Sequence, residues 1–458
     1  MSPPLIMATL YDVAHFCSWN GYPQDMKGYL GIDKASWTNQ EFWFPYGVNV
    51  LYGPRGKTRL LSICENICRY KTREIHEAPR IIARVKKLLA YGAKPDIKDL
   101  NGMSPLLICA RNGLGVTMKL LLDAGADINQ TNKWGHSPIY LAAYNNKVDN
   151  ATVLLKNGAK DIDSALQVSA KRGHIDIVKI LLNAGANINQ SDTDGFSPLH
   201  HASNNNHFAI IKELVERGVD IHNTTVARTP IELAVSNGYL NIVKYLYEHG
   251  AIVTDYAFDM IITKEHINIL QYFKKVGVNA PVNSIYLAVR ENKPKLINLL
   301  SKMGGDLNFI GGVWSSPLLL AVIHTSYECI ETLCKVGANI TMPYRDIRSL
   351  PIQNLVIRGD HKAIQILLDN GVNVNTMMCN MPLLHYAIFF MSAHNKGDDK
   401  FKTCVKEIIK RSPDFTLLNR YGKDAAEYAK DYGFDDIVVA IKRAALAGKH
   451  KKVSRPHK

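Results

Sequence analysis

No apolar run in the 458-residue chain approaches the roughly 20 residues that a helix needs to cross a bilayer. The richest, SPLLLAVIH (316–324) and PLLHYAIFFM (382–391), are far too short, so no membrane span is expected. The first residues, MSPPLIMATLYD, lack a basic stretch followed by an apolar core, and no cleaved secretory signal is expected from them. CxxC pairs are missing as well. The eight cysteines (Cys17, Cys64, Cys68, Cys109, Cys329, Cys334, Cys379 and Cys404) are scattered, which fits reduced, mostly buried thiols in a cytosol-like compartment. There is no HExxH, GxSxG or kinase signature.

One stretch imitates a nucleotide site. Residues 50–61 read VLYGPRGKTRLL, and Gly56-Lys57-Thr58 ends as a phosphate-cradling loop ends. A cradle also needs a glycine five positions before the one that precedes lysine, so that the intervening amides converge on the phosphates. That position is Leu51, and the nearest glycine, Gly53, leaves the loop too short.

What the chain does have is 47% apolar residues, enough for a large core, and a formal charge of +14. Seven basic residues (Lys442, Arg443, Lys449, Lys451, Lys452, Arg455 and Lys458) fall in the last 17 positions with no acidic residue among them, so half of the excess is local. A nucleic-acid contact is therefore expected only through this basic tail, which is alternatively a nuclear-import patch or a solvated end.

The dominant signal is a repeat. SPLLICARNGLGVTMKLLLDAGADIN (104–129) is rewritten as SPIYLAAYNNKVDNATVLLKNGAK, SPLHHASNNNHFAIIKELVERGVDIH and TPIELAVSNGYLNIVKYLYEHGA. A closing glycine recurs at Gly125, Gly158, Gly185, Gly218, Gly250, Gly277, Gly304, Gly337 and Gly371, with gaps of 33, 27, 33, 32, 27, 27, 33 and 34 residues. Ser or Thr before Pro predicts a capped first helix, as at Ser197-Pro198 and Thr229-Pro230. The small residues Ala142, Ala202, Ala234, Ala288 and Ala321 space the first helices, and apolar residues at helical spacing (Ile175, Ile177, Val178, Leu181, Leu182) build the second. Glycines such as Gly185 suit a left-handed helix end.

This pattern resembles the ankyrin repeat family, whose unit of about 33 residues is a β-turn followed by two antiparallel helices. The resemblance implies an all-α, curved ankyrin-repeat solenoid of about twelve to thirteen units with divergent ends. Residues 1–55 are expected to form a divergent N-terminal capping repeat with a long aromatic loop, 56–380 the array, 381–445 divergent C-terminal repeats and cap, and 446–458 a basic tail. Thr58-Arg59-Leu60-Leu61 occupies the Thr-Pro-Leu-His slot, so the false phosphate loop becomes the opening of a repeat. Units ending at Gly185, Gly277 and Gly304 lack about six residues before the first helix, which predicts truncated turn fingers there.

The same resemblance implies a non-enzymatic scaffold or adaptor, monomeric and cytoplasmic or nuclear, that binds a protein partner through its fingertips and first helices and needs no cofactor or metal. The expected contact residues are Lys133, Trp134, His136, Tyr144 and Asn145, then Thr193, Asp194, Phe196, Asn204 and Asn205, then Val226 and Arg228. Trp134 and Phe196 lead, because aromatic side chains are typical interface anchors. The aromatics Trp37, Phe42, Trp43, Phe44 and Tyr46 either seal the first repeat or form a secondary surface. Leu121 to Asn129 matches the pattern at which some ankyrin proteins are hydroxylated, with Asn129 as the acceptor. The alternative function is an effector that engages a host protein after translocation from an intracellular bacterium or virus, with a Cys-dependent activity near His15-Phe16-Cys17. Against that activity, Cys17 reads better as a packed core residue. By the resemblance His200-His201 is the family's structural His followed by a helix position rather than a metal pair, and Cys64/Cys68, though on one helix face, have no second ligand pair at zinc spacing.

Overall fold

The computed structural model describes residues 49, 56–69, 78–223, 228–311, 315–342, 350–394 and 399–453. The Cys17 arrangement, the aromatics Trp37, Phe42, Trp43, Phe44 and Tyr46, and Val226 lie outside them. Within the described residues the chain is an all-α ankyrin solenoid of 24 helices in twelve pairs. The first ten are α1 (Arg59–Arg69), α2 (Ala78–Ala90), α3 (Pro105–Asn112), α4 (Gly115–Asp123), α5 (Pro138–Tyr144), α6 (Val148–Lys156), α7 (Ile162–Arg172), α8 (Ile175–Asn183), α9 (Pro198–Asn204) and α10 (Phe208–Glu216). Then come α11 (Pro230–Ser236), α12 (Leu240–Glu248), α13 (Asp255–Lys264), α14 (Ile267–Lys275), α15 (Ser284–Arg290), α16 (Pro294–Ser301), α17 (Pro317–Ile323) and α18 (Tyr327–Lys335). The last are α19 (Pro351–Arg358), α20 (His361–Asp369), α21 (Leu383–Ala393), α22 (Asp399–Lys410), α23 (Ala425–Asp431) and α24 (Asp435–Val453).

Two compact units share these helices. One holds the residues up to Ala234 together with Tyr245–Ala251, and the other holds Val235–Lys244 and the residues from Ile252 onward. Within each, first helices pack on first helices and second on second. First helices are therefore buried on nearly every side: Pro105 through Ala110 of α3 are all buried. Second helices bury one stripe, Ile177, Val178 and Leu181 in α8. That asymmetry is why one helix is rich in small residues and the other has an ordinary apolar face.

The caps form where the sequence places them. Ser104, Ser137, Ser197 and Ser316 each accept an amide hydrogen from three residues on (Leu107, Tyr140, His200 and Leu319). Thr58 does the same for Leu61 at 3.3 Å, which identifies Gly56-Lys57-Thr58 as a helix start. The Lys57 ammonium pairs with Glu65. At the other end of each pair, Gly185 has φ +89°, a conformation that leaves a Cβ in strained backbone.

Successive repeats are tied by a ladder of side-chain carbonyls. Asn129 Oδ1 accepts the Lys160 amide at 3.0 Å, Asn189 the Asp220 amide at 2.9 Å, Asn308 the Asn339 amide at 2.9 Å and Asn375 the Asp414 amide at 2.8 Å. Asn49 makes the same bond to the Lys94 amide at 2.8 Å, and its Nδ2 donates to the Gly92 carbonyl at 3.1 Å. The residue just ahead of the false phosphate loop thus fills the closing-Asn slot of a preceding repeat, a register the sequence reading had left inside a long loop.

Two local features differ from the sequence reading. The finger before α21 is a two-strand hairpin, β1 (Met377–Met378) and β2 (Met381–Pro382), paired antiparallel with Met378 opposite Met381. Cys379 and Asn380 turn it with φ of +47° and +60°, the double positive that a tight hairpin requires. The basic tail, expected to begin at 446, is continuous with α24 as far as Val453, because Ala, Leu and Lys sustain a helix better than one glycine interrupts it.

Candidate functional site

Among the described residues of the first unit, the fingers at Asp99, Asn132 and Asp192 are hairpin turns, each closed by an Asx side chain. Asn132 Oδ1 accepts the amides of Trp134 and His136 at 3.0 Å each, and Asp192 Oδ1 those of Asp194 (3.0 Å) and Phe196 (2.9 Å). The polar side chain holds the turn, so the intervening residues face outward.

On the Asn132 finger this produces a column of rings. Trp134 stacks on His136 (centroids 6.5 Å), His136 on Tyr140 (4.3 Å, planes 8° apart) and Tyr140 on Tyr144 (6.3 Å). Cations close both ends: the Lys133 ammonium lies 4.7 Å from the Trp134 ring centre, and the Arg172 guanidinium of α7 3.9 Å from that of Tyr144. Trp134 is 58% exposed and Tyr144 38%. The column follows from spacing, since His136, Tyr140 and Tyr144 sit four apart along the start and body of α5 and so share a face. Burial lowers the His136 pKa, with Asp161 opposing it, so the ring is a neutral stacking partner at neutral pH. Burial raises the Tyr140 hydroxyl, with Arg172 opposing and Asp161 reinforcing the shift.

The Asp192 finger is built differently. Phe196 is half-buried, edge-on to His200 (5.8 Å) and stacked on His201 (5.4 Å). Trp134 and Phe196, read from sequence as equivalent anchors, occupy different register positions. Trp134 stands two residues after its Asx and projects from the tip, where the other finger carries Asp194. Phe196 stands four after, in the slot of His136, and covers the start of its own helix. His200 accepts at Nδ1 from Ser197 and bonds the Arg228 carbonyl through Nε2 at 3.1 Å, while His201 Nε2 meets Asp192 Oδ2 at 2.7 Å. Burial lowers both histidines, so the His201 contact is a neutral ring donating to a carboxylate. At Asp192 burial works the other way, and bonds from the Phe196 amide, the His201 ring and the Asp194 amide outweigh it, leaving the pKa below the usual carboxylate value. Each imidazole is thus engaged within the fold.

The remaining predicted residues divide. Lys133, Thr193, Asp194, Asn204 and Arg228 are exposed. Asn145 and Asn205 instead close their own helices, donating from Nδ2 to Leu141 and His201 carbonyls at 2.8 Å each. Asn129 is exposed but its side-chain carbonyl is a rung of the ladder. Sequence reasoning missed Tyr140 and Arg172. Tyr140 was available from the four-residue spacing; Arg172 was not, because it arrives from the next repeat.

The family described as Ankyrin repeats (3 copies) matches residues 81–165 and 166–257. The chain belongs to the ankyrin repeat family. Its relatives include human transient receptor potential cation channel subfamily A member 1, 24% identical over 424 residues (80% of this chain, 36% of the relative). The YahD protein of Escherichia coli is 29% identical over 184 residues (37% of this chain, 91% of the relative). A fowlpox virus protein is 29% identical over 247 residues (52% of this chain, 45% of the relative). The chain therefore spans about a third of the length of its human relative. Ankyrin repeats are protein-interaction modules, and no described helix is long and apolar enough to cross a membrane.

Proposed function

We propose that the chain is a non-enzymatic adaptor that holds a protein partner on the first-helix face of its first unit, around the ring column of α5. The observation that carries this is the exposure of Trp134 at the head of the ring stack. Rigid aromatics presented at a fixed angle bind at low entropic cost, and they are enriched among the residues that dominate interface energy. Lys133 and Arg172 at the two ends favour a partner segment carrying carboxylates, and Arg228 with the Thr193-Asp194 tip extends the surface beyond the truncated finger ahead of α7. The array of residues 56–380 is the binding body in this reading, and 381–445 its C-terminal closure.

Affinity capture with three baits tests it: the wild-type chain, the double variant Trp134→Ala/Tyr144→Ala, and Val116→Ala, which alters a 62%-exposed side chain on a second helix. A specific partner should be retained by wild type and Val116→Ala, and weakened at least about tenfold by the double variant. Equal retention by the double variant would remove the ring column from the interface.

A further inference from the structure

The second unit carries a cleft where two consecutive fingers are missing. Between Gly250 and α13, and again between Gly277 and α15, the connection is too short to make a finger. No finger therefore stands ahead of α13 or α15, and Ile252 and Val282 on the trimmed turns are 67% and 60% exposed. The next full finger, beyond Gly304, closes one side. The space between has a volume of about 210 Å³ and is lined by Asp259 of α13, by Asn283, Tyr286, Leu287 and Arg290 along one face of α15, and by Phe309 and Gly311.

Its chemistry is specific. Tyr286 and Phe309 meet edge to face at 6.0 Å, forming an aromatic corner. A Cβ on Gly311 would fall 2.2 Å from the Tyr286 ring, so the finger backbone is pressed against that ring and fixes its orientation. Asp259 is half-buried beside this corner and has no hydrogen bond or ion pair among the described residues. Desolvation raises its pKa; Arg290 opposes that, and Asp255, one turn earlier, adds to it. The Arg290 guanidinium is engaged by Glu291 Oε1 at 3.2 Å. The charged residues lining the space are thus Asp259 of α13 and Arg290, whose guanidinium is shared with Glu291 just beyond α15. Asp259 therefore sits as a carboxylate without a hydrogen-bonded or ion-paired partner among the described residues, in an aromatic-walled recess.

We propose that this cleft receives a basic side chain, arginine or lysine, from an extended segment of a partner protein. The cation would lie on the aromatic corner, where ring faces attract it, and complete its charge against Asp259. The recess is open to solvent, as a side chain entering from a larger ligand requires, and about 210 Å³ is on the scale of one side chain. The site belongs to the second unit and stands or falls independently of the ring column in the first.

The test uses fluorescein-labelled nonapeptides of Gly, Ser and Ala with one central residue varied (Arg, Lys, citrulline or Glu), titrated into the full chain by fluorescence anisotropy. The Arg and Lys peptides should bind saturably, and citrulline and Glu should not. Asp259→Asn and Phe309→Ala should each weaken Arg binding by at least about fivefold while circular dichroism stays unchanged, and Lys275→Gln, outside the cleft, should leave it as it is. Absence of saturable Arg binding, equal binding of citrulline, preference for Glu, or full binding by Asp259→Asn would overturn the assignment. Should Phe309→Ala unfold the repeat, Phe309→Leu keeps the bulk and removes the ring, and the same loss is expected.

Discussion

Replacing His200 with alanine removes a ring that joins three pieces of the first unit. The ring is fully buried. Its Nε2 lies 3.1 Å from the Arg228 carbonyl and must carry the proton, which leaves Nδ1 as the acceptor for Ser197, with Oγ at 2.7 Å and the amide at 3.2 Å. Alanine retains the Ser197 cap on the His200 amide but removes the ring's bond to the Arg228 carbonyl and the single Nδ1 acceptor that the Ser197 amide and hydroxyl share. At about 1 kcal/mol for each lost bond, plus about 1 for the edge-on contact with Phe196, the cost is about 3 kcal/mol. Repeat stability is a sum of near-neighbour terms, so the loss should be local. Hydrogen exchange by mass spectrometry over residues 192–234 should accelerate roughly a hundredfold, while peptides from the second unit stay unchanged. His201→Ala, which loses the Asp192 bond and the stacking with Phe196 but no bond to a neighbouring finger, should accelerate the same peptides less, roughly thirtyfold. If the two variants behave alike, or if His200→Ala changes exchange less than roughly tenfold, the ring is not the junction described.

The pH dependence follows from the same residues. His136, His174, His200, His201 and His385 all have folded pKa values lowered from 6.5 with burial as the main cause. The unfolded chain then binds protons first as pH falls through 6.5, so stability present above that value is lost below it. Urea midpoints should therefore be lower at about pH 5.5 than at about pH 7.5, and the reverse order would contradict burial of neutral rings. Two glycines separate strain from crowding. Gly185→Ala meets no atom within 4 Å and should cost only the left-handed backbone, about 1 kcal/mol, whereas Gly173→Ala also brings a Cβ to 2.6 Å from the His207 ring and should cost at least about twice that by thermal melting.

The architecture was legible because the repeat states each requirement many times. Ser or Thr before Pro, the closing glycine and the small first-helix residues each answer a fixed geometric need, so they recur in the sequence at the period of the fold. Thr58 shows the strength of this: a local match to a phosphate loop gives way to a register set by a dozen other copies, and the cap bond to Leu61 occupies the hydroxyl accordingly. The surface was less legible because its residues answer to neighbours in other repeats. Trp134 and Phe196 are both aromatic and both follow an Asx residue, yet a difference of two positions sends one outward and turns the other onto His201. Counting from the Asx rather than from the glycine would have separated them.

Arg172 and Asp259 mark the boundary of what one strand of text can hold. Arg172 ends a helix as an ordinary basic residue and becomes part of a site only because α7 lies beside α5 and presents the guanidinium to Tyr144. Asp259 sits mid-helix with nothing nearby in sequence to distinguish it, and its exposure to a cleft depends on two deletions, one before and one after it. In a repeat array the consensus positions build the scaffold, and the departures decide what the scaffold touches. A truncated finger interrupts the ridge that complete fingers form. Structurally, the two that fall in succession do more than interrupt: they leave α13 and α15 without fingers beside a recess lined by Asp259, Tyr286 and Phe309.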